Sequence, residues 1–201
     1  MSWLLMNTLP RRLLAATGLL VISLSSCSTA SVQEADPAQL FKQAQEEIEN
    51  DHFILATEHL KTIRNKFPYS QFAPLAQLKL ADVHFLQESY AEAASAYETF
   101  RDLYPKHEKT PYALFRSAKS HYRDTPTQVA RDLSTAFRAV DSYQEFLRRY
   151  PSDPLREEAT SDLLAVQNLL AQKEFQIASF YSRQGKTVAA RARLEQLVLH
   201  Y

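Results

Sequence analysis

Hydrophobic positions recur with helical spacing along most of the chain, and no segment alternates as a strand would. The pattern predicts helices near 37–50, 53–66, 71–88, 90–104, 111–123, 130–150, 154–183 and 187–200. Asp36-Pro37, Thr110-Pro111 and Asp153-Pro154 each set a capping residue before a proline suited to the first helical position. Ser70 is placed to cap the helix carrying Leu75, Leu78 and Val83. Leu155 to Arg183 contains neither Pro nor Gly and predicts one helix of roughly 45 Å. Gly185 follows it as a helix-ending turn.

The predicted helices pair into units. Phe67-Pro68, Tyr104-Pro105 and Tyr150-Pro151 each close an amphipathic stretch, and Tyr201 stands where the next aromatic is due. Counting back from Pro68 reaches Ala56, Phe53 and Ala44; the same steps from Pro105 reach Ala93, Tyr90 and Ala81. The third unit carries Ala139, Ala136 and, across an insertion near Asp124 to Ser134, Ala118; the fourth carries Ala190, Thr187 and Ala178. Alanine suits the points where paired helices approach most closely, aromatics fill the gap to the next unit, and Pro stops the second helix. This register resembles the tetratricopeptide repeat. The expected fold is therefore all-α: a solenoid of about four tetratricopeptide-like helix pairs over residues 36–201.

The N-terminus follows a different pattern. Arg11 and Arg12 precede an apolar run of 12 residues, Leu13 to Leu24, too short for a stable membrane anchor but suited to a signal peptide. The run ends in Leu24-Ser25-Ser26-Cys27, which resembles the bacterial lipoprotein cleavage box and implies a diacylglyceryl thioether on the Cys27 thiol. Cleavage after Ser28-Thr29-Ala30, as in ordinary secretion, and an idle thiol are the alternatives. On the lipoprotein reading, residues 1–26 are a signal peptide and 27–35 a lipidated tether. Ser28, in place of the Asp of inner-membrane retention signals, favours the outer membrane, with the protein facing the periplasm.

Composition narrows the function. The whole chain balances 23 Lys+Arg against 23 Asp+Glu; loss of residues 1–26 removes two arginines and no acid, leaving 21 against 23 and a net charge of −2. Scattered charges of both signs argue against nucleic-acid binding. One cysteine excludes an internal disulfide or a multi-cysteine zinc site, and Gly185 is the sole glycine after the signal. The six histidines, at 52, 59, 84, 107, 121 and 200, form no metal-binding spacing, and Glu46, Glu47, Glu49 and Asp51 read as a solvated face. No cofactor, metal site or catalytic constellation is expected. Tyr90, Tyr97, Phe100, Tyr143 and Phe146 read as packing; Phe67, Tyr69 and Phe72 cluster at the first inter-repeat turn.

A lipoprotein signal followed by repeats that end in Phe/Tyr-Pro resembles the BamD family of β-barrel assembly lipoproteins. The resemblance is most specific in Arg131-Asp132, in Ala178-Ser179-Phe180-Tyr181-Ser182-Arg183-Gln184-Gly185 and in Val188 to Glu195, with Arg193 and Glu195 in an Arg-apolar-Glu pattern. It implies a non-enzymatic scaffold that binds a POTRA-containing insertase, other assembly lipoproteins and unfolded outer-membrane proteins. On that basis Phe67, Tyr69 and Phe72 are candidates for a substrate groove, and Tyr181, Arg183, Arg193 and Glu195 for insertase docking. The family has five repeats, and the last predicted helix carries Leu194, Leu197, Val198 and Leu199, so truncation near Tyr201 is expected. The competing function is a tetratricopeptide lipoprotein adaptor for periplasmic cell-wall or division complexes.

Overall fold

The computed structural model describes residues 36–200. The expected signal peptide, Cys27 and the tether lie outside the described residues. Eight helices run in order: α1 (Pro37–Glu49), α2 (Phe53–Lys66), α3 (Phe72–Leu86), α4 (Tyr90–Leu103), α5 (Thr110–Arg123), α6 (Ser134–Arg149), α7 (Arg156–Arg183) and α8 (Thr187–His200). There is no strand among the described residues. Each helix packs on the next, and α1 also reaches α3 as α5 reaches α7. That connectivity is a solenoid of four antiparallel helix pairs.

The alanine register explains the packing. Ala44, Ala56, Ala81, Ala93, Ala118, Ala136 and Ala139 are fully buried, and Ala178 and Ala190 nearly so. Larger residues fill the layers between units. Leu60, Ile63, Leu80 and Val83 join α1–α3; Tyr97 and Phe100 join α3–α5; Tyr143, Phe146, Val166 and Leu170 join α5–α7. Burying one such side chain is worth about 1.5–3 kcal/mol.

The turns repeat as faithfully. Phe67, Tyr104 and Tyr150 end their helices with φ of −126°, −128° and −129°. A following proline disfavours helical backbone at the residue before it, and all three take one non-helical conformation, with ψ of 51°, 58° and 62°. Within units, Asp51, Glu88 and Gly185 occupy equivalent positions, two residues before Phe53, Tyr90 and Thr187, and all have positive φ of 60°, 58° and 70°. The third unit replaces this turn with the inserted loop, where Asp132 accepts from the Ser134 amide at 3.0 Å.

Several helix starts differ from the sequence expectation. The Asp36 cap stands, its carboxylate accepting from the Ala38 amide at 3.0 Å, and Ser70 Oγ accepts from the Phe72 amide at 3.2 Å. Thr110 lies inside α5 rather than before it; its hydroxyl donates to the Tyr104 carbonyl at 2.7 Å and ties the helix to the preceding turn. Pro154 precedes α7 instead of opening it, because Asp153 Oδ1 accepts from the Leu155 amide at 2.8 Å and holds a further turn. α6 starts at Ser134, not 130, since the loop end is capped by Asp132.

Candidate interaction surfaces

Two polar clamps, one buried and one part-buried, each tie three helices together. In the first, Asp82 on α3 accepts hydrogen bonds from the Tyr97 hydroxyl of α4 (2.7 Å) and the Tyr112 hydroxyl of α5 (3.0 Å). Lys79 pairs with the other carboxylate oxygen at 3.0 Å. Arg116 donates to the Tyr97 oxygen at 3.1 Å and stacks its guanidinium 3.7 Å from the Phe85 ring centre. In the second clamp, Asp162 on α7 accepts from the Tyr143 hydroxyl of α6 (2.8 Å) and from Lys119 of α5 (2.7 Å), which also reaches Glu158 at 2.8 Å.

Burial and the adjacent carboxylates push the Tyr97 and Tyr143 hydroxyls far above ordinary tyrosine values, and Tyr112 up to about 12. These phenols are donors at every physiological pH, so the carboxylates keep their partners. Burial pulls the Lys119 ammonium down, but its bonds to Asp162 and Glu158 win and raise it above the usual lysine value. Between the clamps, the His121 ring bonds Glu98 at 3.0 Å and holds that carboxyl below its ordinary value. None of the buried side-chain polar atoms among the described residues lacks a hydrogen-bond partner, so these groups serve as struts between helices.

The residues singled out in the sequence divide in two. Phe72 faces inward: its ring lies 5.7 Å from Phe41 and packs on the α1–α3 core. Phe67 is half-buried at the end of α2, whereas Tyr69 projects fully into solvent. The turn therefore offers Tyr69 as its exposed aromatic, beside a Phe67 edge.

At the other end, Tyr181 is half-buried, edge-on to Phe180 at 5.9 Å and under Lys186 at 6.0 Å, and Arg183 is exposed at the end of α7. Arg193 spans α8 to α7 by donating to Glu174 at 3.1 Å, while Glu195 pairs with Arg191 at 2.7 Å. Around these pairs the surface is apolar: Val188, Val198 and Leu199 are each more than 70 % exposed, and Leu194 is 43 % exposed. Leu194, Val198 and Leu199 border an open groove of about 720 Å³ along α8. Cations set among open apolar side chains are the ordinary make-up of a protein-binding patch.

Among the described residues, no three His, Cys, Asp or Glu side chains are grouped to hold a metal ion. None of the described helices is long and apolar enough to cross a membrane.

Fold and surface together define a tetratricopeptide-like helical scaffold with an open apolar face on its last helix pair. Residues 33–201 match the family described as YfiO, outer membrane lipoprotein, and the chain belongs to that family. It is 27 % identical over 197 residues to the outer membrane protein assembly factor BamD of Vibrio cholerae serotype O1, covering 92 % of this chain and 82 % of the relative. The factor of the same name from Neisseria gonorrhoeae is 25 % identical over 197 residues, covering 90 % and 74 %. That of Rickettsia prowazekii is 25 % identical over 193 residues, covering 94 % and 76 %.

Proposed function

We propose that this chain is a lipid-anchored scaffold for outer-membrane protein assembly, held at the periplasmic face of the outer membrane through Cys27. The observation that carries the reading is the family match across the whole repeat array, joined to relatives named as assembly factors. The role assigns the chain no catalytic step. It docks a POTRA-containing insertase and other assembly lipoproteins, and helps deliver unfolded barrel proteins.

For docking, the last helix pair is the surface we favour, with Tyr181, Arg183, Arg193 and Glu195 around the open apolar face of α8. The supporting physics is that burying Val188, Val198 and Leu199 against a partner stabilises a complex, while the Arg191–Glu195 and Arg193–Glu174 pairs orient it. Tyr69, with the Phe67 edge, is the surface favoured for unfolded substrate, since aromatics bury much area at little entropic cost.

Purification of the full-length lipoprotein from its membrane tests the reading. Recovery of a large POTRA-containing barrel, and loss of many outer-membrane barrels at once on depletion, is the expected result. Intact barrels with misplaced septa would favour the cell-wall adaptor instead. Cys27→Ser is expected to release the protein from the membrane fraction; undiminished retention would contradict the lipid anchor.

A further inference from the structure

Consecutive helices reverse direction, so the turns that join one unit to the next share an edge of the solenoid with the start of α1. The turns within units lie on the opposite edge, about 20 Å away along a helix of 13 or 14 residues. Between Glu58 and Asp82 the chain has no acidic residue, and Lys61, Arg64 and Lys66 lead into the α2–α3 turn. Lys106 and Lys109 stand in the α4–α5 turn and Arg148 in the last turn of α6. These six cations are exposed, and none joins an ion pair among the described residues. Against them and Arg156 the same edge sets Asp36, Glu108, Asp153 and Glu157, which leaves it positive, most of all at the α2–α3 turn.

The opposite edge has the opposite sign. From Gln43 to Leu60, and again from Leu80 to Phe100, the chain has no Lys or Arg. These two stretches hold the first two turns within units, with Glu49 and Asp51 at one and Glu88 and Glu92 at the other. In the third unit the inserted loop balances Arg123 and Arg131 against Asp124 and Asp132. The first two units therefore carry the polarity, acidic along one edge and basic along the other.

The chain enters the solenoid at Asp36, on the basic edge. On the lipid-anchor reading, on which this inference rests, residues 27–35 separate the acylated cysteine from Asp36, and a stretch of that length reaches at most about 32 Å. The edge tethered closest to the membrane is thus the one rich in lysine and arginine. These side chains are long and spread along the turns instead of converging on a cavity. Such an array suits a fluid, negatively charged surface, where each Lys or Arg near anionic headgroups adds to the attraction. An acidic protein, by contrast, presents its charges at fixed points that a partner must match. The same surface repels Glu49, Asp51 and Glu88, so attraction and repulsion select one orientation.

We infer that the edge formed by the turns between units rests on anionic phospholipid headgroups. Lys61, Arg64 and Lys66 make the main contact and Lys106, Lys109 and Arg148 extend it, while the acidic edge of the first two units points away from the membrane. The contact uses neither the polar clamps nor the open face of α8.

Energy transfer in vesicles tests it. The mature protein is purified from its membrane, its acyl chains are read by mass spectrometry, and it is reconstituted into phosphatidylcholine with or without phosphatidylglycerol. Cys27 is the chain's one cysteine, so once it is acylated Ser152→Cys on the basic edge or Gln87→Cys on the acidic edge takes a single fluorophore. Phosphatidylglycerol is expected to raise transfer from position 152 to a headgroup acceptor by ~2-fold or more and to leave position 87 the weaker donor. Salt at about 1 M, where the screening length is ~3 Å, should abolish the difference. Lys61→Gln, Arg64→Gln and Lys66→Gln together should remove most of the gain without lowering the unfolding temperature. Equal transfer from the two edges, or no response to phosphatidylglycerol in acylated protein, overturns the inference. Capture of polyglutamate without a response to phosphatidylglycerol overturns it too, in favour of an acidic protein partner. Protein that carries no acyl chain contradicts the anchor alone, and flotation then reads the edge by itself. Salt-sensitive flotation with phosphatidylglycerol vesicles supports the contact, and none overturns it.

Discussion

α4 and α8 have the same length and hold matching places in their units, yet α4 buries Ala93, Ala94, Tyr97 and Phe100 while α8 buries only Ala190. Where α4 carries Tyr97 and Phe100, the register gives α8 Leu194 and Leu197, the first 43 % exposed and the second half-buried. The alanine at closest approach is buried in both, so each helix is correctly seated on its own partner. What differs is the next unit: α5 covers α4 and completes its core, and no described helix packs on the far face of α8. A repeat thus builds half of its core alone and borrows the other half from its neighbour. In the middle of the array the next described helix supplies that half; for α8 no described helix does.

Truncation of side chains tests that difference most strongly. Phe146→Ala in the α5–α7 layer is expected to cost about 3–5 kcal/mol, read by urea unfolding. Leu194→Ala, on the open face, should cost less than about 1 kcal/mol. Equal losses would break the contrast. Next come the ion pairs. Asp162→Ala deprives the Tyr143 hydroxyl and the mostly buried Lys119 of an acceptor, and about 1–3 kcal/mol should follow. Glu174→Ala, which frees a half-exposed Arg193, should cost no more than about 1 kcal/mol.

Backbone strain gives a smaller effect that cuts across both regions. Glu88 holds φ of 58° where an L side chain is disfavoured, so Glu88→Gly should stabilise by about 0.5 kcal/mol after the added freedom of the unfolded chain is counted. Gly185→Ala, with open space around the added methyl but φ of 70°, should cost about 1 kcal/mol from strain alone. Thermal melts of the two variants check the opposite signs.

The smallest expected change is with pH. The His121 bond holds the Glu98 carboxyl below its ordinary value of 4.5, so the pair adds stability above that pH and loses it as pH falls through the lowered value. His121→Gln should flatten the acid limb of the stability profile, with little effect near neutrality.

The repeat register was legible in the chain because alanine spacing and the aromatic-proline pairs depend only on local helix geometry. The clamps were not. Tyr97 meets Asp82 from 15 residues away, and Lys119 meets Asp162 from 43, so no spacing rule brings them together. Tyr97 and Tyr143 were readable as core aromatics, but their hydroxyls gave no sign of what they would bond. The positive φ at Glu88 was equally silent, since glutamate carries no turn signal; Gly185, at the same place in its unit, announced its turn. Phe72 grouped with Tyr69 in sequence, yet the start of α3 turns it toward Phe41 and the core.

Hydrogen–deuterium exchange of the full-length lipoprotein, with and without the POTRA domains of the insertase, tests the central claim most directly. Alone, α4 to α6 should resist exchange while α8 exchanges early. With the insertase, protection should rise across residues 174–199, around Arg193 and the open face of α8. A stable complex that leaves those residues as unprotected as before would place docking elsewhere and contradict the account.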